Sequence, residues 1–289
     1  MFAAAVVPPP MLEGSIVLRT SFIALTLFIA VSFVAGVFLS ATRSGMLPAA
    51  ARLQALRAAG ATTVWLALTG IAAAKRALHF SAPPTMVLVF PILFATAIAV
   101  ALSPVGRRLA LDLPIAALVG FQGFRVLVEL VLHKAYTEGL MPVQMSYSGR
   151  NFDIVSGATA IAVALWLARG RSFPRLVFAW NTLGAALLLN ILIVALLSAP
   201  TPMRVFMNEP ANVWVTRAPW IWLPTVMVLA AFMGHVLVYR RLWLERTAAS
   251  NSTTSVLLGY GATGAPPPHT WDESPSRRPT AAKASGEAP

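Results

Sequence analysis

About seven apolar stretches, separated by short polar or basic segments, run along this chain. Most of them approach the roughly 20 residues that a helix needs to cross a bilayer. The predicted spans lie at about residues 15–40, 60–78, 85–103, 113–134, 151–168, 176–198 and 219–239. Continuous helices satisfy their backbone polar groups inside hydrocarbon. We therefore expect an all-α, polytopic membrane helix bundle with about seven transmembrane helices.

The composition supports a membrane protein. The chain is 57% hydrophobic and 11% charged, whereas soluble domains carry about 25% charged residues. The net charge of +12 comes from basic residues in loops and at span ends, which indicates membrane topology and argues against nucleic acid as a partner. The lipid bilayer is the expected partner, and the oligomeric state is left open. The chain has no cysteine, so disulfides, thiolate nucleophiles and Cys-ligated metals are excluded.

The distribution of basic residues predicts the orientation. The segments between successive spans lie alternately on the two sides of the membrane. Basic residues are more numerous on the side that holds 169–175 and the segment 41–59, which is predicted to be an interfacial loop. The positive-inside rule then places the N-terminus outside and the C-terminus in the cytoplasm. We expect a flexible lead at 1–14, a transmembrane domain at 15–246, and a disordered cytoplasmic tail at 247–289 that is rich in small and polar residues.

The fourth predicted span carries a row of polar side chains. Gln122, Arg125, Glu129 and His133 are spaced so that they share one helix face. Ionisable groups within a span are costly and must find partners or water. Glu129 and His133 are the candidate catalytic groups. Alternatively, Arg125 and Glu129 neutralise each other as a structural pair, or Glu129 and His133 contribute to a metal site. No motif fixes a third ligand, so neither a metal nor a cofactor is predicted.

Two further segments add candidate ligand-binding residues. These candidates are Arg150, Asn151 and Asp153 at the start of the fifth span, and Asn208 and Glu209 in the loop 199–218. In the predicted orientation they share the outer side with His133, and a pocket at the outer mouth of the bundle would unite them. Helix capping is the structural alternative for these residues. His235, near the inner third of the seventh span, is not expected to share a metal with His133.

These segments resemble a known pattern. Phe124-Arg125 with Val128-Glu129, the run Gly149-Arg150-Asn151-Phe152-Asp153, and Asn208-Glu209-Pro210 together resemble uncharacterised bacterial multi-pass membrane proteins. The resemblance covers roughly residues 60–245. It implies bacterial origin and a location in the cell inner membrane, and it implies no activity.

Three functions remain open at this stage. The leading hypothesis is small-molecule binding or transport at a polar pocket that opens to the outer face. A membrane-embedded enzyme is the second, with Glu129 and His133 as acid–base groups and Arg125 holding an anion. The third is a structural or assembly subunit of a membrane complex, in which the polar row only joins helices. The sequence does not decide whether the protein is an enzyme.

Overall fold

A computed structural model describes residues 13–171 and 173–263, and this part of the chain is helical without any β-strand. The helices are α1 (Ile16–Arg43), α2 (Pro48–Ala74), α3 (Thr85–Leu102), α4 (Pro104–Asp112), α5 (Ile115–Phe121), α6 (Phe124–Thr137), α7 (Asp153–Ala168), α8 (Pro174–Leu197) and α9 (Val228–Thr263). Six helical stretches in the described chain are long and apolar enough to cross a membrane. The prediction of an all-helical membrane protein is therefore confirmed. The six stretches are α1, α2, α3, α5 with α6, α8, and the segment Leu223–Asn251.

Proline and hydroxyl side chains set several helix starts. The Ser15 side chain accepts a hydrogen bond from the Leu18 amide at 3.1 Å, as expected at the start of a helix. Proline occupies the first position of α2, α4 and α8, where its missing N–H costs no helical hydrogen bond.

The basic segment 41–59 is not an interfacial loop, and this prediction was wrong. Helix α2 already begins at Pro48, so Arg52 and Arg57 lie on its first half. The physical reason is the alanine-rich run that follows Pro48, since alanine is the strongest helix former. The second apolar helix is consequently longer than the predicted span 60–78.

Two helical stretches depart from regular α-helical geometry. The predicted fourth span is divided into α5 and α6 by Gln122 and Gly123, where hydrogen bonds run from residue i to i−3. A Cβ on Gly123 would lie 2.8 Å from the Ile161 side chain, so this position allows a close approach of α7. The segment Leu223–Met227, which contains Pro224, forms a π-helical turn before α9.

The connection between α6 and α7 folds back into the bundle. Gln144, Met145 and Ser146 in this connection are buried, and a single 3₁₀ turn spans Val143–Met145. Asp153, the first residue of α7, is also buried. Helix α7 has 16 residues and therefore begins inside the protein rather than at its surface.

The two ends of the bundle differ. Ser15 at the start of α1 donates to the Glu138 carboxylate from its backbone N–H at 2.7 Å and from its hydroxyl at 2.6 Å. We call this side, which also carries the loop 199–222, the amino end. The opposite end carries Arg240, whose Nη1 donates to the Ser103 carbonyl at 2.9 Å.

The last helix extends further than predicted. Disorder was expected from residue 247, but α9 continues to Thr263. Extending an existing helix requires no new nucleation, which favours this continuation even through polar residues. The rest of the predicted tail, 264–289, and nearly all of the predicted lead lie outside the described residues.

Candidate functional site

Arg125, in the first turn of α6, is the centre of a buried polar cluster. Only 2% of it is exposed. Its Nε donates to Asp153 Oδ2 at 3.1 Å, and its Nη2 pairs with Asp153 Oδ1. Its Nη1 donates to Ser156 Oγ at 2.8 Å and to the Gly184 carbonyl at 3.2 Å. The bidentate pair fixes α6 against the start of α7, because both hydrogen bonds require one relative orientation.

His235 on α9 completes this cluster. Its Nε2 lies 3.0 Å from Arg125 Nη1, and its Nδ1 lies 2.8 Å from Asn181 Oδ1 on α8. A guanidinium can only donate, so Nε2 accepts and the ring proton lies on Nδ1. Asn181 Nδ2 in turn donates to the His235 carbonyl at 3.1 Å. Four helices, α6 to α9, therefore meet at Arg125.

Glu129 lies one turn beyond Arg125 and has different partners. Its Oε1 accepts from Asn151 Nδ2 at 2.5 Å. Asn151 is itself held by donating to the Met145 carbonyl and by accepting from the Asp153 amide. Glu129 Oε2 is buried without a hydrogen-bond partner. The alternative of a structural Arg125–Glu129 pair is not what forms, because the guanidinium takes both oxygens of Asp153 instead.

A cavity of about 80 Å³ lies beside this cluster. Its polar wall is formed by Arg125, Glu129, Asn151, Asp153 and Asn212. The rest of the wall is largely apolar and includes Phe80, Phe90, Phe124, Leu188 and Met227. The structure thus brings together four of the predicted ligand-binding residues around one cavity.

Two residues of the predicted polar row do not line this cavity. Gln122 is buried and donates from Nε2 to the Ala231 carbonyl at 2.9 Å, while its Oε1 has no partner. His133 is half-buried towards the amino end, where its ring stacks on Tyr147 at a centroid distance of 4.3 Å. Its Nδ1 lies 3.2 Å from Ser148 Oγ. Glu129 and His133 therefore face different surroundings.

The remaining candidates lie at the amino end. Arg150 is exposed and lies over the Phe206 ring. Asn208 donates to Gln144 Oε1 at 2.8 Å, and Glu209 accepts from Arg204 at 3.0 Å. Glu209 also lines a larger cavity of about 1060 Å³ at this end. The two outer segments thus contribute to two cavities rather than to one pocket.

Sequence reasoning missed several members of the cluster. Asn181 and His235 are polar residues in apolar helices, and this was the available signal for them. Ser156 and Gly184 carry no such signal. Among the described residues, no group of three His, Asp or Glu side chains could hold a metal ion.

The fold and the cluster define the class as an all-helical membrane protein with a buried polar centre. A family described as a domain of unknown function (DUF8737) matches residues 82–243, more than half of the chain, and the chain belongs to that family. The matched region contains the whole Arg125 cluster and lies beyond α1 and α2. No curated protein and no solved structure matches the chain.

Proposed function

We propose that this protein binds or transports a small molecule at the cavity beside Glu129. One observation carries the proposal. Glu129 lines the cavity, and its Oε2 is a buried acceptor without a hydrogen-bond partner. Leaving such a group unsatisfied costs about 1–3 kcal/mol, and more for a charged group. A ligand that donates a hydrogen bond to this oxygen would offset that cost.

The backbone around the cavity supports a binding role. Leu223, Pro224 and Met227 of the π-helical turn line the cavity, and the α5–α6 interruption lies just before Phe124, which also lines it. π-Helical turns are frequent at functional sites. Discontinuous helices often surround the substrate sites of transporters, because freed backbone groups and helix ends can contact the ligand there.

The proposal includes a topology with seven spans in a bacterial inner membrane. Helix α7 is about 24 Å long at 1.5 Å per residue, and the partly buried connection 138–152 before it completes the crossing. The arginine-rich end that includes Arg240 and Arg241 faces the cytoplasm in this proposal, since basic segments favour that side. The amino end then faces outwards.

The positions of the two cavities support a ligand route from the outer side to the predicted pocket. Phe80 lines both the small cavity and the larger cavity at the amino end. The two spaces therefore have a common wall, and a ligand from the outer side would reach Glu129 past Phe80.

The other two functions have less support. An enzyme with Glu129 and His133 as an acid–base pair requires both at one substrate, but His133 does not line the cavity. A purely structural cluster would satisfy all of its polar groups. The Arg125 half of the cluster fits that description, whereas Glu129 Oε2 does not.

Native mass spectrometry of the purified full chain tests the proposal. The wild type is expected to retain a co-purified ligand, and Glu129→Gln should lose it. Ala195→Leu should also lose it, because Ala195 lines the cavity and the larger side chain fills it. Glu245→Gln is the matched control, since Glu245 pairs with Arg241 away from the cavity. Equal retention by all four proteins, or no ligand on the wild type, would overturn the proposal. Flux of the identified solute in proteoliposomes then separates transport from binding.

A further inference from the structure

The hydrogen-bond partners around the cavity restrict what can bind there. Every nitrogen of the Arg125 guanidinium has an acceptor, and both Asp153 oxygens have a donor. Asn151 uses its amide nitrogen on Glu129 and its amide oxygen on the Asp153 backbone. Among the five polar side chains of the cavity wall, two acceptor atoms have no hydrogen-bond partner: Glu129 Oε2 and Asn212 Oδ1. An ionised carboxylate oxygen and an amide oxygen only accept hydrogen bonds, so an occupant that satisfies both atoms must donate.

The charges on the cavity wall add a second restriction. Arg125 and Asp153 neutralise each other in a bidentate pair, whereas an ionised Glu129 carboxylate would have only the neutral Asn151 as its hydrogen-bond partner. A buried charge without compensation is costly in a membrane bundle. One positive charge at Glu129 Oε2 would balance it, and an anion would add to the imbalance. A divalent metal is disfavoured, because the described chain offers no group of three suitable ligands.

The size and lining of the cavity give the third restriction. A dry cavity of about 150 Å³ accommodates benzene, so the space of about 80 Å³ suits a group of about three heavy atoms. Its wall away from Glu129 is mostly apolar, and Phe80, Phe90 and Phe124 contribute aromatic rings. Aromatic faces attract ammonium groups, and the apolar side chains suit a short alkyl body.

We infer that the ligand is a small monovalent ammonium-type cation, such as a short primary alkylammonium. Its N–H group donates to Glu129 Oε2, and its alkyl part packs against the apolar wall. This inference rests on the proposed function and specifies its ligand class.

Titration calorimetry with ethylammonium chloride tests it, on the full chain in detergent and in an amine-free buffer at constant ionic strength. Wild type should bind ethylammonium saturably. Ethanol, which lacks the charge, and sodium ion, which lacks both N–H and alkyl groups, should bind at least tenfold more weakly. Glu129→Gln and Ala195→Leu should each weaken ethylammonium binding at least tenfold, and Glu245→Gln should leave it unchanged.

Equal binding of ethylammonium, ethanol and sodium by wild type would overturn the inference, as would equal ethylammonium affinity in Glu129→Gln. If Glu129→Gln fails to fold, the comparison of the three probes on wild type and Ala195→Leu still decides. A co-purified ligand of another class that both variants lose, without ethylammonium binding, would overturn this inference but leave the proposed function standing. If the wild type carries no co-purified ligand and does not bind ethylammonium, the proposed function and this inference are both overturned.

Discussion

Asp153 and Glu129 are two acids of one buried cluster, and their surroundings differ. Asp153 has both oxygens held by Arg125. Glu129 has one oxygen held by Asn151 and the other buried without a partner, and its side chain lines the cavity. Their exposures are similarly low, at 7% and 1%, so burial alone does not separate their roles. We conclude that the satisfied half of the cluster, Arg125 with Asp153, joins the helices. The open half, Glu129, is where a ligand can act.

The largest expected loss of stability comes from a substitution in the satisfied half of the cluster. Arg125→Met should destabilise the protein by about 3–5 kcal/mol, because it leaves Asp153 as an unpaired buried charge. Denaturant unfolding in detergent measures the change. The double variant Arg125→Met with Asp153→Leu is the control and should recover much of the loss, since it removes both charges. A single variant as stable as wild type would show that the pair does not hold α6 and α7 together.

A smaller effect is expected where α8 approaches the cluster. A Cβ on Gly184 would lie 2.7 Å from His235 Cε1 and 2.8 Å from Ser156 Oγ. Gly184→Ala should therefore cost about 1–3 kcal/mol through overpacking. Gly60→Ala is the matched control on α2, since its Cβ would meet nothing within 4 Å, and it should stabilise by up to about 1 kcal/mol. Equal behaviour of the two variants in unfolding experiments would contradict the close contact.

The open half should respond differently from the satisfied half. Glu129→Gln keeps the shape of the side chain and an oxygen for Asn151 and removes a carboxyl group that is costly to ionise when buried, so the variant should be at least as stable as wild type. The same variant should lose the ligand, as detected by native mass spectrometry. If Glu129→Gln instead unfolds as readily as Arg125→Met, Glu129 belongs to the structural half and the comparison fails.

The smallest effect concerns an acid outside the spans. Partial burial opposes ionisation of Glu138, but hydrogen bonds from Lys134 and Ser15 prevail and lower its pKa from 4.5 to about 2. A lowered pKa in the folded state means that its stabilisation is complete above about pH 4.5 and is lost as the pH falls through about 2. The stability difference between wild type and Glu138→Gln should therefore shrink between pH 6 and pH 2 in unfolding measurements. A constant difference would show that these hydrogen bonds do not stabilise the fold.

Much of the fold follows from local chemistry. Apolar length predicts helices near those found at α1, α3 and α8, and the spacing of Arg125 and Glu129 places both on one face of α6. The start of α2 was missed because an apolar-run criterion passes over an alanine-rich helix that carries arginines. The break at Gln122 was missed because a single glycine in an apolar run is compatible with a continuous helix.

The partners within the cluster could not be predicted, because they depend on tertiary contacts. The i, i+4 spacing brings Arg125 near Glu129, but two oxygens of Asp153 on another helix match the guanidinium better. His235 was placed only by its depth along a helix. Its contact with Arg125 depends on how α9 packs against α6, and periodicity does not specify helix packing. The buried connection before α7 likewise lacks a distinctive local pattern.

Because Phe80 lines both cavities, the equilibrium occupancy of a ligand and its rates of entry and exit would depend on different residues. Equilibrium occupancy would depend on the carboxylate of Glu129, whereas the rates of entry and exit would depend on how often the Phe80 ring moves aside. A smaller side chain at residue 80 would then raise the rates of both entry and exit, and any rise in the dissociation constant would measure the contact of the Phe80 ring with the ligand. Selectivity and speed would therefore evolve at different residues of the same protein.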